Sequence, residues 1–226
     1  MNSTGGKDIR KKVRKVLSSM GLKQQPFYPE RHYSAEKLKE IDALYRLAGK
    51  SIGAKKKFSD AVARTEIEAV SDSLATRVED LAFFLSKKPR KGQKVLDIAS
   101  GSTITPMVAE RLTKAEYHAV DLSREMLKQS EKLGSSRVSK AQGLAEKLPY
   151  KSGVFNEVWM ENPDRLEGES IREAHRVLKP GGVFKIVIHI DKPIDKIAFG
   201  KAFNSVGFSV EIQQLGAFTT IKASKK

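Results

Sequence analysis

The sequence contains no cysteine among its 226 residues. It can therefore form no disulfide bond and no thiolate-bound metal site, and it cannot use a cysteine nucleophile. No apolar run reaches the roughly 18 residues of a membrane-spanning helix, and the N-terminus lacks the apolar core of a signal peptide. We therefore expect a cytoplasmic protein without a transmembrane segment, and we expect no metal site.

Positive charge is in excess, mostly in the first part of the chain. The formal net charge is +15. Residues 1–92 hold 21 Lys and Arg against 11 Asp and Glu, a difference of +10, and residues 93–226 hold 21 against 16, a difference of +5. An excess of positive charge favours nucleic acid or an anionic membrane as a partner, although a generally basic surface accounts for the charge equally well.

The first 90 residues predict a basic helical cap or lid. Residues 7–20 place apolar side chains on one helical face and lysine or arginine on the other, a pattern typical of a helix on RNA, on a membrane or docked on a core. A proline-broken aromatic loop follows at 25–33. Two more helices are predicted, over 38–48 with stops near Gly49 and Gly53, and over 59–86.

Residues 94–123 predict a nucleotide-type half-site. A buried strand over 95–98 leads into a turn of small residues and then a helix over 104–112. A second strand, over 117–120, ends in Asp121. A glycine turn lets backbone N–H groups approach a ligand, and a terminal acid can accept both hydroxyls of a ribose. Asp97 and Asp121 lie 121 − 97 = 24 residues apart, close to the roughly 20 residues of such units.

The rest of the chain alternates strands and helices. Ser123 is a candidate N-cap for a helix through Lys132. The further predicted elements are strands at 138–142 and 154–160, a helix at 166–178, a sharp stop at 179–182, a strand at 183–190, a helix at 194–206, and a hairpin of 208–214 and 218–223 split at Gly216. We predict an α/β fold: a Rossmann-like, doubly wound, seven-stranded, mostly parallel sheet with an antiparallel C-terminal hairpin, plus the N-terminal cap.

Four blocks resemble the class I S-adenosylmethionine-dependent methyltransferases, in the branch of the ubiquinone/menaquinone-type small-molecule enzymes. They are VLDIASGST, AVDLSREMLKQSEK, AQGLAEKLPYKSGVFNEVW and REAHRVLKPGGVFKIV. Together they cover roughly residues 93–223, and the first 90 residues lie outside the resemblance. The resemblance therefore implies a methyltransferase domain over 91–226, with S-adenosylmethionine as cofactor, below a cap over 1–90.

The resemblance also implies cofactor contacts. The turn would pass under the methionine moiety, Asp97 would sit near its amino group, and Asp121 would hold the ribose. The remaining implied contacts are Leu122 and Met126 flanking the adenine, Leu144 and Ala145 at its edge, and Met160 with Glu161 on the methyl-donor side; the turn contributes Ala99, Ser100 and Gly101.

The sequence departs from this family at two points. Ala99 and Thr103 replace the outer two of the three usual glycines. Alanine fits at little cost if its φ stays negative, whereas threonine at positive φ would be strained. Leu144 stands where the family commonly has an acid for the adenine amino group, so one hydrogen bond of about 0.5–1.5 kcal/mol would be lost.

No catalytic base can be assigned. Methyl transfer from a sulfonium needs mainly proximity and in-line orientation, and a base only if the acceptor must lose a proton. The weak candidates are His189, Glu161 and His32, together with the tyrosines of the 25–33 loop, and a packed, structural role is favoured for His189. Asn162 and Pro163 partly match the turn of amino-group methyltransferases of nucleic acid bases, although a turn that leads into a helix explains them more simply.

Three functions stay open. The first is a methyltransferase with a small or medium-sized acceptor beneath the cap. The second has the same chemistry on RNA or DNA, with 10–15 and 55–57 gripping phosphates. The third is a non-catalytic binding module in which the altered turn has lost the cofactor. The acceptor and the oligomeric state are not predicted.

Overall fold

The computed structural model describes residues 4–22, 51–63, 74–163, 168–189, 194–215 and 218–226, together with the single residues 36, 39, 43, 46 and 166. The predicted loop at 25–33, with His32, lies outside the described residues, as do most of the helix predicted over 38–48, Asp164 and Gly216.

Helices and strands alternate from residue 94 onward. The described helices are α1 (Thr4–Ser19), α2 (Ile52–Val62), α3 (Leu74–Phe84), α4 (Ile104–Leu112), α5 (Arg124–Gln129), which continues into a 3₁₀ turn over Ser130–Leu133, α6 (Gly168–Val177) and α7 (Lys196–Asn204). The strands are β1 (Lys94–Ile98), β2 (Glu116–Asp121), β3 (Ser139–Gln142), β4 (Phe155–Glu161), β5 (Leu178–His189), β6 (Phe208–Leu215) and β7 (Phe218–Lys225).

The seven strands form one sheet in the order β3-β2-β1-β4-β5-β7-β6. Strands β1 to β5 pair in parallel, whereas β7 pairs antiparallel with both β5 and β6. The predicted fold class is therefore confirmed. The order reverses at β1, with β2 on one side and β4 on the other, and such a switch point opens a crevice at the carboxyl ends of the strands.

One hydrophobic cluster covers each face of the sheet. The first cluster contains Val95, Tyr117 and Trp159 from the strands with residues of α1, α3 and α4, and the second contains Leu96, Val158 and Phe184 with residues of α6 and α7. Successive residues of a strand point to opposite faces, so a single strand such as β4 supplies both clusters. Helix α1 contributes to the first cluster through Ile9, Val13 and Leu17.

Two predicted boundaries in these elements are wrong. Gly53 does not stop a helix, because Ser51 caps α2 by accepting a hydrogen bond from the Ala54 N–H, and α2 runs through Gly53 to Val62. The predicted helix over 59–86 is described only as the end of α2 and as α3. The sharp stop at 179–182 is instead part of β5: Phe155 pairs with Leu178 and Glu157 with Val183, so the intervening residues form a bulge with Gly181 at φ 72°.

Several basic residues of α1 and α2 form ion pairs with acidic residues of the same chain. The Arg10 guanidinium pairs with Glu79 on α3 at 2.6 Å, Lys12 pairs with Asp8 at 2.6 Å, and Lys56 pairs with Asp60. Helix α1 is therefore docked by its apolar stripe, as one of the sequence alternatives states. The domain boundary near residue 90 stays a prediction. No helix in the described ranges is long and apolar enough to cross a membrane.

Candidate functional site

A cavity of about 430 Å³ lies at the carboxyl ends of the central strands. It is lined by residues at or directly after the ends of β1, β2, β3 and β4, together with residues of α2 and α3. Its lining residues are Lys55, Phe58, Ser59, Val62, Arg77, Ala99, Ser100, Gly101, Asp121, Leu122, Met126, Gly143, Leu144, Ala145, Glu146, Met160, Glu161, Asn162 and Pro163. A volume of this size suits a small-molecule ligand.

The turn after β1 forms one wall through alternate left-handed residues. Ala99, Gly101 and Thr103 have φ values of 54°, 52° and 59°. The condition under which alanine would fit at little cost is therefore not met, and Thr103 adopts the strained conformation that its position predicts. Thr103 is fully buried, and its hydroxyl donates to the Ser102 carbonyl at 2.7 Å. The turn thus has the backbone of a three-glycine turn without two of the glycines.

Asp121 at the end of β2 is held by backbone donors. One carboxylate oxygen accepts from the Gly101 N–H at 2.9 Å, and the other accepts from the Ser123 N–H at 2.8 Å. Ser123 is the N-cap of α5, as predicted, since its hydroxyl oxygen accepts from the Met126 N–H at 3.1 Å. This arrangement fixes the carboxylate against the turn at the wall of the cavity.

Asp97 lies beneath the turn and does not line the cavity. It is buried, and the Ser100 hydroxyl donates to its Oδ2 at 2.6 Å. Within the described residues its Oδ1 has no hydrogen-bond partner. Burial, with smaller contributions from the Glu161 and Asp121 charges, raises the pKa of Asp97 to about 8 although Ser100 and Arg77 oppose this rise. A buried oxygen of this kind is a place for an incoming cationic or N–H group.

Glu161 at the end of β4 belongs to a three-residue network. It forms an ion pair with Arg77 of α3, and the Thr105 hydroxyl donates to its Oε2 at 2.7 Å. The Arg77 Nη1 also donates to the Thr105 Oγ1 at 3.1 Å. Both members of the ion pair line the cavity, with side chains only 16% and 15% exposed. This wall therefore presents a guanidinium and a carboxylate side by side.

His189 at the end of β5 pairs with Asp80 of α3 and does not line the cavity. Its Nε2 lies 3.0 Å from the Asp80 Oδ2, and its backbone N–H donates to the Asn162 side chain at 3.1 Å. The Asp80 hydrogen bond raises the pKa of His189, and burial raises the pKa of Asp80 to about 6. Asn162, at φ 43°, therefore holds the end of β5 through this hydrogen bond. This structural role favours the interpretation of residues 162–163 as an ordinary turn rather than as a binding turn for a nucleic acid base.

Helix α2 lines the cavity and is hydrogen-bonded to the turn after β2. The Asp60 carboxylate accepts a hydrogen bond from the Ser123 hydroxyl. Because Ser123 also holds Asp121, α2 is fixed to the residue that positions the carboxylate. Phe58 and Val62 then face the cavity as apolar lining.

Comparisons with known proteins agree with this geometry. Residues 95–182 match the family model described as a methyltransferase domain. The ubiquinone/menaquinone biosynthesis C-methyltransferase UbiE of Cereibacter sphaeroides is 34% identical over 108 residues, which cover 42% of this chain and 41% of that protein. Residues 95–182 therefore match a methyltransferase domain, and they are similar to class I S-adenosylmethionine-dependent enzymes.

Solved structures share the fold of this methyltransferase domain. One is a chain in the complex of the Trm112 methyltransferase activator with a methyltransferase from Haloferax volcanii (TM-score 0.63, 16% identity, 74% of this chain and 98% of that chain). Another is phosphoethanolamine N-methyltransferase 2 of Haemonchus contortus in complex with S-adenosylmethionine (TM-score 0.57, 16% identity, 65% and 52%). The chain spans less than half the length of the first curated relatives, 47% and 41%.

The structure brings nearly all of the predicted cofactor residues of the methyltransferase domain to one cavity. Nine line it, namely Ala99, Ser100, Gly101, Asp121, Leu122, Met126, Leu144, Ala145 and Met160, and Asp97 lies directly behind Ser100. Of the weak catalytic candidates, Glu161 lines the cavity and His189 does not.

Sequence reasoning missed several lining residues. Glu146 lies two positions after Leu144 and was not among the predicted contacts. Arg77 and the α2 residues lie outside the resemblance, so no motif points to them. A weak signal was present for Arg77, because Arg77, Glu79 and Asp80 are the charged residues of a helix whose other residues are mostly apolar.

The residues around the cavity fit S-adenosylmethionine. Asp121 offers carboxylate oxygens to ribose hydroxyls at the cavity wall. Asp97 lies behind Ser100 and outside the lining, so an ammonium group in the cavity would reach it through a bridging water. Leu122, Met126, Leu144 and Ala145 provide an apolar region for a base. Gly101 lines the cavity and has no side chain to obstruct a ligand at the turn.

Proposed function

We propose that the protein transfers a methyl group from S-adenosylmethionine to a small-molecule acceptor. The observation that carries this proposal is the Asp121 carboxylate, held by the Gly101 and Ser123 N–H groups at the switch point of the sheet, on the wall of the cavity. Open α/β sheets bind their ligands at this place.

In this proposal each part of the cavity has a separate task. Asp121 accepts the ribose hydroxyls, Leu122 and Met126 flank the adenine, and Leu144 and Ala145 meet its edge. The turn at Ala99–Gly101, with Asp97 behind it, receives the methionine moiety. The bound cofactor supplies a methyl group on a positively charged sulfur. The residues of the chain then act by holding acceptor and donor in line and by excluding water, and the apolar side chains of α2 in the lining contribute to that exclusion.

The test is calorimetric titration with S-adenosylmethionine and S-adenosylhomocysteine. We expect a Kd in the micromolar range, about −8 kcal/mol. Asp121→Ala is expected to weaken binding at least about tenfold, because the ribose loses its charged acceptor. Asp8→Ala is the matched control, since Asp8 is an exposed carboxylate of α1 that pairs with Lys12, and it should bind like the wild type.

Failure of the wild type to bind either ligand would overturn the proposal. The strained turn at Ala99 and Thr103 would then have lost the cofactor, and the chain would be a binding module that keeps only the fold. If Asp121→Ala and Asp8→Ala weakened cofactor binding equally, Asp121 would not be a contact of the cofactor.

The size of the cavity and one relative support a small acceptor. A cavity of about 430 Å³ has little room for a macromolecule beside the cofactor. The curated relative is named for the biosynthesis of ubiquinone and menaquinone, which are small molecules. A cytoplasmic location is part of this proposal.

RNA is the second candidate acceptor, and the basic surface of α1 favours it. Lys11, Arg14 and Lys15 are exposed, although Arg10, Lys12 and Lys56 are paired with acids. If RNA is the substrate, its affinity should fall steeply between 50 and 200 mM salt, by about an order of magnitude or more. Filter binding of a short RNA at both salt concentrations decides this, and an RNA that does not bind at the lower concentration rules this candidate out.

A further inference from the structure

We propose that Lys55 of α2 binds an anionic group of the methyl acceptor, a carboxylate or a phosphate, so that the protein selects acidic small molecules with an apolar body. This inference rests on the proposed function, because it names the class of acceptor for the same cavity. Lys55 lies before the matched region 95–182.

One face of α2 belongs to the cavity, and Lys55 is the charged residue on that face. The α2 residues of the lining recur at positions i, i+3, i+4 and i+7 of the helix, namely Lys55, Phe58, Ser59 and Val62. This spacing places the four side chains on a single stripe. The next two lysines lie off the stripe: Lys56 pairs with Asp60, and Lys57 is exposed. Of three consecutive lysines, one therefore reaches the cavity.

The ammonium group of Lys55 has no acid beside it. Within the described parts of the chain its side chain forms no ion pair, whereas the other cation of the lining, Arg77, is paired with Glu161. Glu146 also lines the cavity, but it follows Ala145 at the proposed adenine edge and is not paired with Lys55 in the described structure. A half-buried ammonium without an acid offers an incoming anion charge-assisted hydrogen bonds.

The anchor of α2 separates Lys55 from the proposed ribose site. The Ser123 hydroxyl donates to the Asp60 carboxylate, and the Ser123 N–H donates to Asp121, the proposed ribose acceptor. Lys55 lies five residues before Asp60 (60 − 55), which corresponds to about 7 Å along the helix axis. Lys55 is therefore more than a helical turn away from this anchor, and the proposed cofactor contacts, which all lie within residues 97–160, do not include it.

The apolar residues of the stripe define the rest of the acceptor. Phe58 and Val62 line the cavity on the same face of α2 as Lys55. Apolar walls exclude water, and an ammonium group attracts an anion more strongly where water is excluded. Lysine is a flexible point charge, so it recognises negative charge rather than a fixed geometry. We therefore expect acceptors that combine an apolar ring or chain with one acidic group.

Three probes of similar size separate charge from shape: benzoate, phenyl phosphate and the neutral benzamide. Each is titrated into protein saturated with S-adenosylhomocysteine, and binding is measured by ligand-observed NMR. At least one of the two anions should bind the wild type about fivefold or more tightly than benzamide. The anion that binds more tightly shows whether a carboxylate or a phosphate is recognised. Lys55→Met should bind that anion and benzamide equally, because it keeps an unbranched side chain without the charge.

Two further variants and the cofactor itself provide the controls. Lys57→Met removes the same charge from the exposed side of the same helix, so it should keep the full preference for the anion. Lys55→Arg should keep most of it, because it retains the positive charge. Lys55→Met should bind S-adenosylhomocysteine within about twofold of the wild type. Thermal melting shows that each variant folds, and the preference is a ratio within one variant, so a loss of stability does not imitate the expected result.

The outcomes distinguish this inference from the proposed function. Wild type that binds S-adenosylhomocysteine but prefers neither anion, or binds no probe up to about 10 mM, overturns the role of Lys55 and leaves the proposed function standing. A preference that survives in Lys55→Met, or is lost equally in Lys57→Met, overturns it as well. Lys55→Met that weakens S-adenosylhomocysteine by about tenfold does the same, because Lys55 is then a cofactor contact. Wild type that does not bind S-adenosylhomocysteine overturns both.

Discussion

At the scale of single residues, the turn after β1 has side chains where its backbone favours glycine. Ala99 and Thr103 have φ values of 54° and 59°, a region that disfavours a Cβ by about 1–2 kcal/mol. Glycine at such a position would remove this strain but lose about 0.5–1 kcal/mol of chain entropy. The relief of strain is slightly larger than the loss of chain entropy, so glycine is favoured at an exposed site.

We therefore expect Ala99→Gly to raise the free energy of unfolding by up to about 1 kcal/mol. Ala99 is exposed, so its methyl group leaves no buried cavity. Urea denaturation measures the change. The matched control is Ala109→Gly in α4, which lies in a regular helix and should be destabilised by about 1 kcal/mol or more. A loss of stability in both variants would contradict the assigned strain at Ala99.

The same scale shows which site residues could be predicted. Asp121 and Ser123 were predictable because their partners lie within a few residues or in the adjacent turn, so local spacing describes the arrangement. Arg77 meets Glu161 across 84 positions of sequence (161 − 77), from a helix outside the resemblance. Only the packing of α3 on the sheet brings them together, and no local pattern encodes that packing.

At the scale of elements, helix α1 is part of the core. Leu17 and Val13 are fully buried in the cluster that also contains Leu81 and Trp159. A lid that opens freely would expose these side chains to water at about 25 cal/mol per Å² of apolar surface. Helix α1 should therefore unfold together with the sheet.

We expect Leu17→Ala to lower the free energy of unfolding by about 2–5 kcal/mol. The reason is the cavity that a truncated leucine leaves in a closely packed cluster. Lys15→Ala, on the exposed side of the same helix, should change stability by less than about 0.5 kcal/mol. Urea denaturation followed by tryptophan fluorescence reports on Trp159 in the sheet. An unchanged Trp159 transition in Leu17→Ala would mean that α1 is a separate unit.

Element boundaries were harder to predict than element types. Lys179-Pro180-Gly181-Gly182 contains the residues that usually end a structure, and the prediction of a stop there follows from them. The chain instead carries these residues as a bulge within β5, because Leu178 and Val183 both pair with β4. Pairing with a neighbouring strand overrides the local signal.

At the scale of the whole molecule, the acids beneath the cavity link stability to pH. Burial raises the pKa of Asp97 to about 8 and that of Asp80 to about 6. A carboxyl group with a raised pKa binds its proton more tightly in the folded state. Its contribution is fully present below the pKa of the unfolded chain, about 4, and is lost as the pH rises through the folded value.

The free energy of unfolding should therefore fall between pH 5 and pH 8, by up to about 1.4 kcal/mol per pH unit for each such proton. Acids with a lowered pKa, such as Glu79 and Glu173, are fully ionised between pH 5 and pH 8 in the folded protein. They therefore change the stability mainly at lower pH. Urea denaturation at pH 5, 6, 7 and 8 measures the slope.

Asp97→Asn isolates the contribution of Asp97 to that slope. Asparagine keeps the shape and still accepts the Ser100 hydroxyl, but it binds no proton in this window. We expect the variant to lose the part of the fall up to pH 8 that Asp97 contributes, whereas the fall up to about pH 6 due to Asp80 remains. A slope equal to that of the wild type up to pH 8 would mean that Asp97 is ionised in the folded protein. The unpartnered oxygen would then be a buried charge that requires a cation at neutral pH, which the ammonium group of the cofactor can supply.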